Sequence, residues 1–257
     1  MLSVRLRLLP LLALVCWVAE GCAQQPAVRA DPGAASPTAA PTETLWWSPL
    51  LMLASIRDIP AALASPFETP LDVTAASPTA GAPPGVMTNC ESYFAFRKRG
   101  YEVQSENDSA VMKLEGARCQ ALMTLRTTAP VSRRPPLPFA FDAKALASLP
   151  PALGPGPSPG ERTRRQEATS QGLSWRAYDP KATMVALGAG SAIVTGTDWT
   201  TKLEVLARGD FTGDGTTDVL LRTVSHGTEG SWREVRLRVL SQDQGQLVLA
   251  IKSELPL

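Results

Sequence analysis

The residues best suited to chemistry lie in one stretch, residues 209–218, which reads Gly-Asp-Phe-Thr-Gly-Asp-Gly-Thr-Thr-Asp. Oxygen-bearing residues occupy its alternate positions: Asp210, Thr212, Asp214, Thr216 and Asp218. Calcium is a hard cation that takes about six to eight oxygen ligands, and calcium loops supply them from alternate positions, with a glycine at the sharp turn. The spacing therefore predicts a calcium site formed by the four side chains and by the backbone carbonyl of Thr216.

This loop resembles the calcium loop of the integrin-type FG-GAP and VCBS repeats, in which GDFNGDG is a frequent form. The resemblance implies a structural ion, because extracellular calcium modules bind at about 10⁻⁴–10⁻³ M. Two positions differ: Thr212 stands where the repeats have Asn or Asp, and Leu221 stands where an EF-hand has its bidentate Glu. The sequence has one copy, whereas a β-propeller needs several repeats. The alternative for the same residues is a tight Asp-Gly hairpin turn that binds no metal.

The single histidine of the chain, His226, follows Ser225, a pair that suggests a base beside a nucleophile. Neighbouring residues of a strand point to opposite faces of the sheet, so we do not expect these two side chains to meet. We therefore interpret His226 as a polar turn residue. The sequence also has no HExxH or Walker motif, so the common zinc-protease and P-loop NTPase constellations are absent.

The elements that position this loop follow a segment of a different kind. Residues 1–21 predict an export signal, with Arg5 and Arg7 as the basic part and residues 8–18 as the apolar part. The apolar run is too short to span a bilayer, which needs about 20 residues. We therefore expect it to be removed from the mature protein.

The signal ends in Ala19-Glu20-Gly21-Cys22, which resembles the lipobox of bacterial lipoproteins. The resemblance implies that Cys22 is acylated and that the chain is cut before it. Ala19 and Glu20 depart from the usual Leu and small residue, and ordinary cleavage after Ala23 is the alternative. Because Ala23, and not an Asp, follows the cysteine, the resemblance favours the outer membrane, facing the periplasm or the surface. Without acylation the protein would be periplasmic or secreted.

The net charge of the chain indicates whether a nucleic acid is among its partners. It carries 25 Lys and Arg against 24 Asp and Glu, so the net charge is close to zero. Nucleic-acid-binding domains normally have a basic excess or a basic stripe. We therefore expect no nucleic-acid partner.

Proline divides the chain into segments. Eleven prolines lie between residues 22 and 88 and nine between 130 and 160, but only two follow residue 160. Because proline breaks helices and central strands, the C-terminal part is the best place for a sheet.

We divide the chain into a signal peptide (1–21), a Pro/Ala-rich tether (22–87), a helical hairpin with a Pro-rich connector (88–160) and an antiparallel β domain (161–257). Within the tether, residues 23–44 lack large apolar side chains and predict a disordered chain, and residues 65–87 predict a second linker.

Residues 45–64 interrupt the tether with a dense apolar run. Its large side chains are Leu45, Trp46, Trp47, Leu50, Leu51, Leu53 and Ile56. Pro49 is compatible with the first turn of a short helix. Such a helix could lie on a membrane or on a partner. We favour the alternative, in which the segment packs on the protein's own core.

A helical pair is predicted within residues 88–128. The first helix begins after a cap at Thr88 or Asn89 and ends before Gly100, and the second begins near Asn107 or Ser109. These helices form the hairpin of the predicted fold.

Cys90 and Cys119 lie on the apolar stripes of these two helices. They are the two cysteines that remain when Cys16 leaves with the signal and Cys22 is acylated. In an exported protein one remaining pair predicts a disulfide. A pair of redox or metal-binding thiols is the alternative, but no CxxC spacing or nearby histidine supports it.

The part after residue 161 has the period-two patterns of half-buried antiparallel strands. In the clearest of them, Val235, Leu237 and Val239 alternate with charged residues. We predict strands within residues 173–178, 183–194, 199–208, 218–224, 234–239 and 247–251, and a short helix within 142–149.

Together these elements predict an α+β protein in which a helical hairpin packs on a small antiparallel β-sheet, preceded by a disordered tether. We expect an exported, lipid-anchored cell-envelope protein that is a non-enzymatic binding or structural module with a calcium-stabilised β domain. Its partners would be the membrane, through the lipid anchor, and an envelope protein or glycan. The alternative is a carboxylate-based hydrolase acting on envelope glycan, with Asp210, Asp214 or Asp218 as its acids.

Overall fold

A computed structural model describes residues 46–76, 82–127, 140–142, 144–188, 190–241, 249–255 and 257. The predicted signal peptide, the acylation site Cys22 and the tether up to residue 45 lie outside the described residues. The described part is a mixed α+β fold with antiparallel sheets, which confirms the α+β class. Its helices are all too short or too polar to cross a membrane.

The described residues form ten strands and five α-helices. The strands are β1 (Trp46–Trp47), β2 (Leu71–Ala75), β3 (Gly85–Met87), β4 (Tyr101–Val103), β5 (Thr183–Gly188), β6 (Ser191–Thr195), β7 (Trp199–Gly209), β8 (Asp218–Gly227), β9 (Arg233–Ser241) and β10 (Ala250–Leu255). The helices are α1 (Ile59–Ala64), α2 (Cys90–Lys98), α3 (Glu106–Thr127), α4 (Pro159–Ser170) and α5 (Trp175–Tyr178). A large sheet has the order β10-β9-β8-β7-β6-β5, with β1 also paired to β7, and a small sheet has the order β3-β2-β4.

The central strands confirm the predicted strands at 199–208, 218–224 and 234–239, which correspond to β7, β8 and β9. One feature of β7 differs from the simple alternation. A bulge lies between Val205 and Ala207 in the pairing with β8, so that the consecutive residues Leu206 and Ala207 are both buried in the same core, whereas Val205 belongs to the other core. A bulge adds one residue to a strand and thereby exchanges the faces of the residues that follow.

Both faces of the large sheet are covered. On one face, α1, α2, α3 and the small sheet share a core with Leu237 and Val239 of β9. On the other face, α5 and the segment before α4 share a second core with Leu203 and Leu221. The fully buried Trp175 is the largest side chain of this second core.

Residues 65–87 differ from the predicted linker, because they supply β2 and β3 to the small sheet. Leu71 and Met87 are buried there, at 1% and 0% exposure. The prolines of this stretch are compatible with a sheet because Pro70 and Pro84 lie just before strands and not inside them.

Residues 45–64, predicted to hold a short apolar helix, are α-helical in α1 alone. The described residues before α1 form β1 and two 3₁₀ turns, Pro49–Leu51 and Ile56–Asp58. Leu51 and Ile59 are each 1% exposed. The segment therefore packs on the protein's own core, as favoured from the sequence.

Two predictions on either side of α4 are wrong. Residues 173–178, predicted as a strand, contain α5, because the Ser174 hydroxyl caps this helix by accepting a hydrogen bond from the Ala177 amide at 3.2 Å. Residues 142–149, predicted as a short helix, contain one 3₁₀ turn, Ala145–Ala147. Both are short segments, in which one cap or one tertiary contact outweighs the local pattern.

The two helices predicted within residues 88–128 are α2 and α3, and β4 lies between them. Of the two predicted caps, Asn89 and not Thr88 caps α2, since the Asn89 side chain accepts a hydrogen bond from the Ser92 amide at 2.9 Å. The helix α3 begins earlier than predicted. The hydroxyl that accepts an amide hydrogen bond from its first turn belongs to Ser105, and not to Asn107 or Ser109.

The predicted disulfide between Cys90 and Cys119 is confirmed, with an S–S distance of 2.01 Å and both residues fully buried. Close packing accompanies the bond. A Cβ added at Gly116 of α3 would lie 2.5 Å from the Tyr93 hydroxyl of α2, so glycine is required at this crossing. The bond therefore clamps two helices whose surfaces already touch.

Removing the disulfide is expected to destabilise the protein. The bridge spans 29 residues, and opening a loop of that length lowers the free energy of unfolding by about 3–4 kcal/mol in the chain-entropy model. Denaturant unfolding of Cys90→Ala/Cys119→Ala beside the wild type measures the loss. Reduced wild type is the control and should lose a similar amount. A loss below about 1 kcal/mol would show that the bond contributes little beyond the packing of α2 on α3.

Candidate functional site

The acidic loop predicted to bind calcium connects β7 to β8. Asp210, which is 5% exposed, accepts hydrogen bonds from three backbone amides of the loop. Its Oδ1 takes those of Gly213 at 2.7 Å and Asp214 at 3.1 Å, and its Oδ2 takes that of Gly215 at 2.8 Å. The two glycines have φ angles of +78° and +80°, which favour glycine. The loop therefore folds around the Asp210 carboxylate.

Asp218 closes the loop at the first residue of β8 and is fully buried. Its Oδ2 accepts hydrogen bonds from the amides of Phe211 and Thr212, both at 2.8 Å. Its Oδ1 is buried without a hydrogen-bond partner. Burial raises the pKa of Asp218, and the nearby Ser241 and Thr212 hydroxyls and the two amides oppose this rise.

Asp214 is the exposed carboxylate of the loop. The hydroxyl and the amide of Thr216 donate hydrogen bonds to its Oδ1, and these bonds lower the pKa of Asp214. Thr212 is exposed as well. The structure therefore places Asp210 and Asp218 at the base of the loop, and leaves Asp214 and Thr212 at its surface.

A calcium ion needs several oxygens around one point. In the part of the chain that the structure describes, no three His, Cys, Asp or Glu side chains are grouped so that they could hold a metal ion. The carboxylates of Asp210 and Asp218 instead cap backbone amides. Two buried oxygens of this stretch, Asp218 Oδ1 and Thr217 Oγ1, have no hydrogen-bond partner, and an ion would supply one to the Asp218 carboxylate. The fit is partial, because the Asp210 carboxylate and Asp218 Oδ2 bind backbone amides and Asp214 Oδ1 binds Thr216.

The three aspartates are also the acids of the alternative hydrolase prediction. Hydrolysis by a carboxylate pair requires both acids to flank the bond that is cut. Three cavities of the described residues, of 540, 600 and 660 Å³, are lined by other residues and not by these aspartates. Ser225 and His226 do not meet either. Ser225 is buried and hydrogen-bonded to the Thr201 hydroxyl at 2.8 Å, whereas His226 is exposed.

The cavity of 540 Å³ lies at the opposite end of the β7–β8 hairpin from the acidic loop, and we call it the aromatic cleft. Its walls include Glu161, Arg165, Tyr178, Asp198, Trp199 and Trp232. Beneath it the Trp199 ring stacks on the ring of the buried Trp175, with 5.8 Å between centroids. The sequence analysis missed this site because its residues come from separate segments. The tryptophans were the sequence feature that could have indicated this site, because three of the six in the chain lie in or directly beneath the cleft.

Glu161 is the most firmly held charge of the cleft. Arg164 Nη2 lies 2.6 Å from its Oε2, and Arg165 Nε lies 3.0 Å from its Oε1. The Tyr178 hydroxyl donates a hydrogen bond to the same Oε1 at 3.1 Å. Burial opposes ionisation of Glu161, but its two arginines and Tyr178 outweigh burial and lower its pKa. Glu161 is therefore a fixed negative charge at neutral pH.

The buried Arg165 connects this charge to the aromatic side chains. Its guanidinium lies 4.9 Å from the Tyr178 ring centroid and 5.6 Å from that of Trp199. Asp198 and Glu229 also line the cleft, and their side chains carry oxygens that can accept hydrogen bonds. A concave site with aromatic walls and a few fixed polar groups is the usual form of a ligand-binding pocket.

Comparison with known proteins finds no relative of this chain: no protein family, curated protein or solved structure matches it. The resemblances to bacterial lipoproteins and to FG-GAP and VCBS calcium loops therefore stay predictions. The proposals that follow depend on the residues and the geometry of this chain.

The Glu161 cluster predicts a contribution to stability that acid removes. Because folding lowers the pKa of Glu161, this contribution is present above the unfolded-state pKa, and it is lost as the pH falls below about 4.3. Glu161→Gln is expected to lower the free energy of unfolding by about 1–2 kcal/mol at pH 7 and by much less at pH 3. Denaturant unfolding of both proteins across this range measures the difference. Glu167→Gln, at an exposed position of α4, is the control. A loss that stays constant with pH would contradict the assignment.

Proposed function

We propose that the chain is an exported bacterial cell-envelope protein, lipid-anchored at Cys22, that acts as a non-enzymatic binding module. The basic and apolar parts of residues 1–21 and the following cysteine support export and acylation. The disulfide of Cys90 and Cys119 supports an oxidising compartment, in which such bonds persist. The proposed place is the outer membrane.

In this proposal the segments have different tasks. Residues 23–44, which lie outside the described residues, are assigned the task of a tether from their composition alone, because their Ala, Pro, Thr and Ser side chains offer little apolar surface to bury. The helices α2 and α3 are a disulfide-clamped hairpin on the large sheet, and the contact of α3 with β9 supports this. The aromatic cleft is the binding site.

The observation that carries the non-enzymatic assignment is the state of Glu161 in the cleft. Its carboxylate is ionised and is bound by Arg164, Arg165 and Tyr178. A general acid or base needs a pKa near the working pH and a proton within reach of the substrate. Glu161 instead fixes the wall of a pocket. In this proposal the other lining residues, among them Asp198, Glu229 and Trp232, contact an envelope glycan or an envelope protein.

A binding experiment tests this function. Fluorescence titration of the whole chain with solubilised cell-wall glycan fragments is expected to show binding that Trp232→Ala weakens about tenfold, because one aromatic wall is lost. Glu167→Gln, outside the cleft, is the control and should bind like the wild type. Mass analysis of the glycan after incubation distinguishes binding from hydrolysis. Cleaved glycan would contradict the non-enzymatic assignment, and equal affinity of Trp232→Ala would exclude the cleft as its glycan site.

We also propose that calcium stabilises the loop between β7 and β8. The alternate spacing of the oxygens and the orphaned Oδ1 of Asp218 support this proposal. Asp210, Thr212, Asp214, Asp218 and the Thr216 carbonyl would hold the ion, which supplies positive charge among three carboxylates and is not involved in any reaction. A substitution of Asp214 tests metal binding separately from folding. Its carboxylate is exposed and does not cap the base of the loop, so its loss removes a calcium ligand and leaves the loop's own hydrogen bonds at the base in place.

Calcium is therefore expected to raise the melting temperature. For a Kd of about 1 mM, 10 mM calcium adds about 1.4 kcal/mol, or roughly 3–6 °C in a domain of this size. Asp214→Ala should abolish the shift, and Asp198→Ala, in a turn at the other end of the hairpin, should retain it. Thermal melting with calcium, with magnesium and with chelator measures these shifts. An unchanged melting temperature in 10 mM calcium would leave the loop as a metal-free hairpin turn.

A further inference from the structure

The first segment of the described fold, residues 46–56, is apolar on two sides. On its inner side, Leu51 is 1% exposed and Trp47 and Leu53 pack partly buried against the first core. The Trp47 indole donates a hydrogen bond to the Leu53 carbonyl at 2.9 Å, and the Ser48 amide donates one to the Leu206 carbonyl at 2.7 Å. The inner side is therefore explained by packing within the protein.

The outer side of the same segment is not explained in this way. Trp46, Leu50, Met52 and Ile56, which we call the outward patch, are 41%, 47%, 72% and 36% exposed. They are half of the eight large apolar side chains exposed by the described residues, and they lie within eleven residues of sequence. Single exposed apolar side chains are normal, but a group of them marks a surface that meets another apolar surface.

Met52 is the most exposed member of the patch, and its backbone is unusual. Its φ of +55° is the one positive value at a non-glycine position among the described residues. Its amide donates a hydrogen bond to the Pro49 carbonyl at 2.9 Å, which holds this turn. Left-handed backbone is unfavourable for residues with a Cβ, and glycine fits it without strain. Neither the backbone nor the core accounts for a methionine side chain at this position.

We propose that the outward patch docks on the lipid surface of the membrane to which the chain is anchored. This inference rests on the proposed lipid at Cys22. Cys22 lies 24 residues before Trp46, and a flexible chain of that length has an end-to-end distance of about 25–30 Å. The patch is thus held close to the bilayer. Tryptophan is favoured at membrane interfaces, and a lipid chain together with a second contact gives stable attachment where one alone is weak.

The direction of β7 is compatible with a membrane as the occupant. β1 pairs with Ala207 and Arg208, at the end of β7 opposite the aromatic cleft, so docking through the patch leaves the cleft open.

Hydroxyl-radical footprinting tests the patch in the whole mature chain. The lipidated chain is placed on vesicles of phosphatidylethanolamine and phosphatidylglycerol, and unlipidated Cys22→Ser in buffer is the reference. Modification of Met52 and Leu50 is expected to fall severalfold on the vesicles. Modification of Val86 and Leu173, which are 47% and 38% exposed elsewhere, should not change. Equal modification of Met52 in both states would overturn the proposal. Protection of Met52 in concentrated protein without lipid would also overturn it, and would indicate a second copy of the chain as the occupant.

A second measurement separates the patch from the anchor. Unlipidated Cys22→Ser should sediment weakly with the same vesicles, and adding Leu50→Ser, Met52→Gly and Ile56→Ser should lower its partition at least fivefold. Val86→Ser/Leu173→Ser is the matched control and should not lower it. Met52→Gly alone should keep or raise the melting temperature, because glycine suits the left-handed backbone.

The outcomes for anchor and patch are distinguishable. Unmodified Cys22 in the mass of the mature wild type would reject the lipid anchor, whatever the patch does. Unchanged partition of the triple patch variant would reject the patch, whatever the anchor does.

Discussion

The hairpin of β7 and β8 is buried on both faces, and most of the fold follows from this constraint. Leu203 and Leu221 belong to one core, and Leu206 and Leu220 belong to the other. A sheet that is apolar on both faces is stable in water when each face is covered by another layer. The helices α1 to α3 with the small sheet cover one face, and the connector with α5 covers the other. The disulfide then fixes α2 to α3, which packs on β9.

The charges inside the sheet are paired, and their pairing fixes the register of the strands. Glu204, whose side chain is 3% exposed, lies 2.7 Å from both Lys202 and Arg222, and Arg222 is its direct cross-strand neighbour. Arg238, also buried, lies 2.8 Å from Glu254 of the edge strand β10. An unpaired charge at such a depth is strongly unfavourable. A shift of either strand by one residue would separate these partners and move apolar side chains to the wrong face.

The two ends of the β7–β8 hairpin have different properties. At one end, the carboxylates of Asp210 and Asp218 bind the amides of their own loop, which closes it. At the other end, side chains from α4 and α5 form the open aromatic cleft. β7 runs from Trp199 to Gly209, a distance of about 30 Å at the rise of a strand. The proposed membrane contact lies near the closed end, and the proposed binding site lies at the open one.

The sequence by itself determined the features that depend on neighbouring residues. These are the alternation of β9, the cap of α2 at Asn89, the cysteine pair and the α+β class, because each arises from a local pattern or from a count. The tertiary structure decided the features that join distant segments. The strands β2 and β3 form in a Pro-rich stretch because their prolines lie outside the strand interiors and Leu71 and Met87 reach a core built by other elements. The bulge at Leu206 likewise depends on the two cores on either side of the sheet. The cleft around Glu161 forms when four separate segments of the chain come together. A sequence pattern records the spacing of residues along one element, whereas burial depends on what packs against that element.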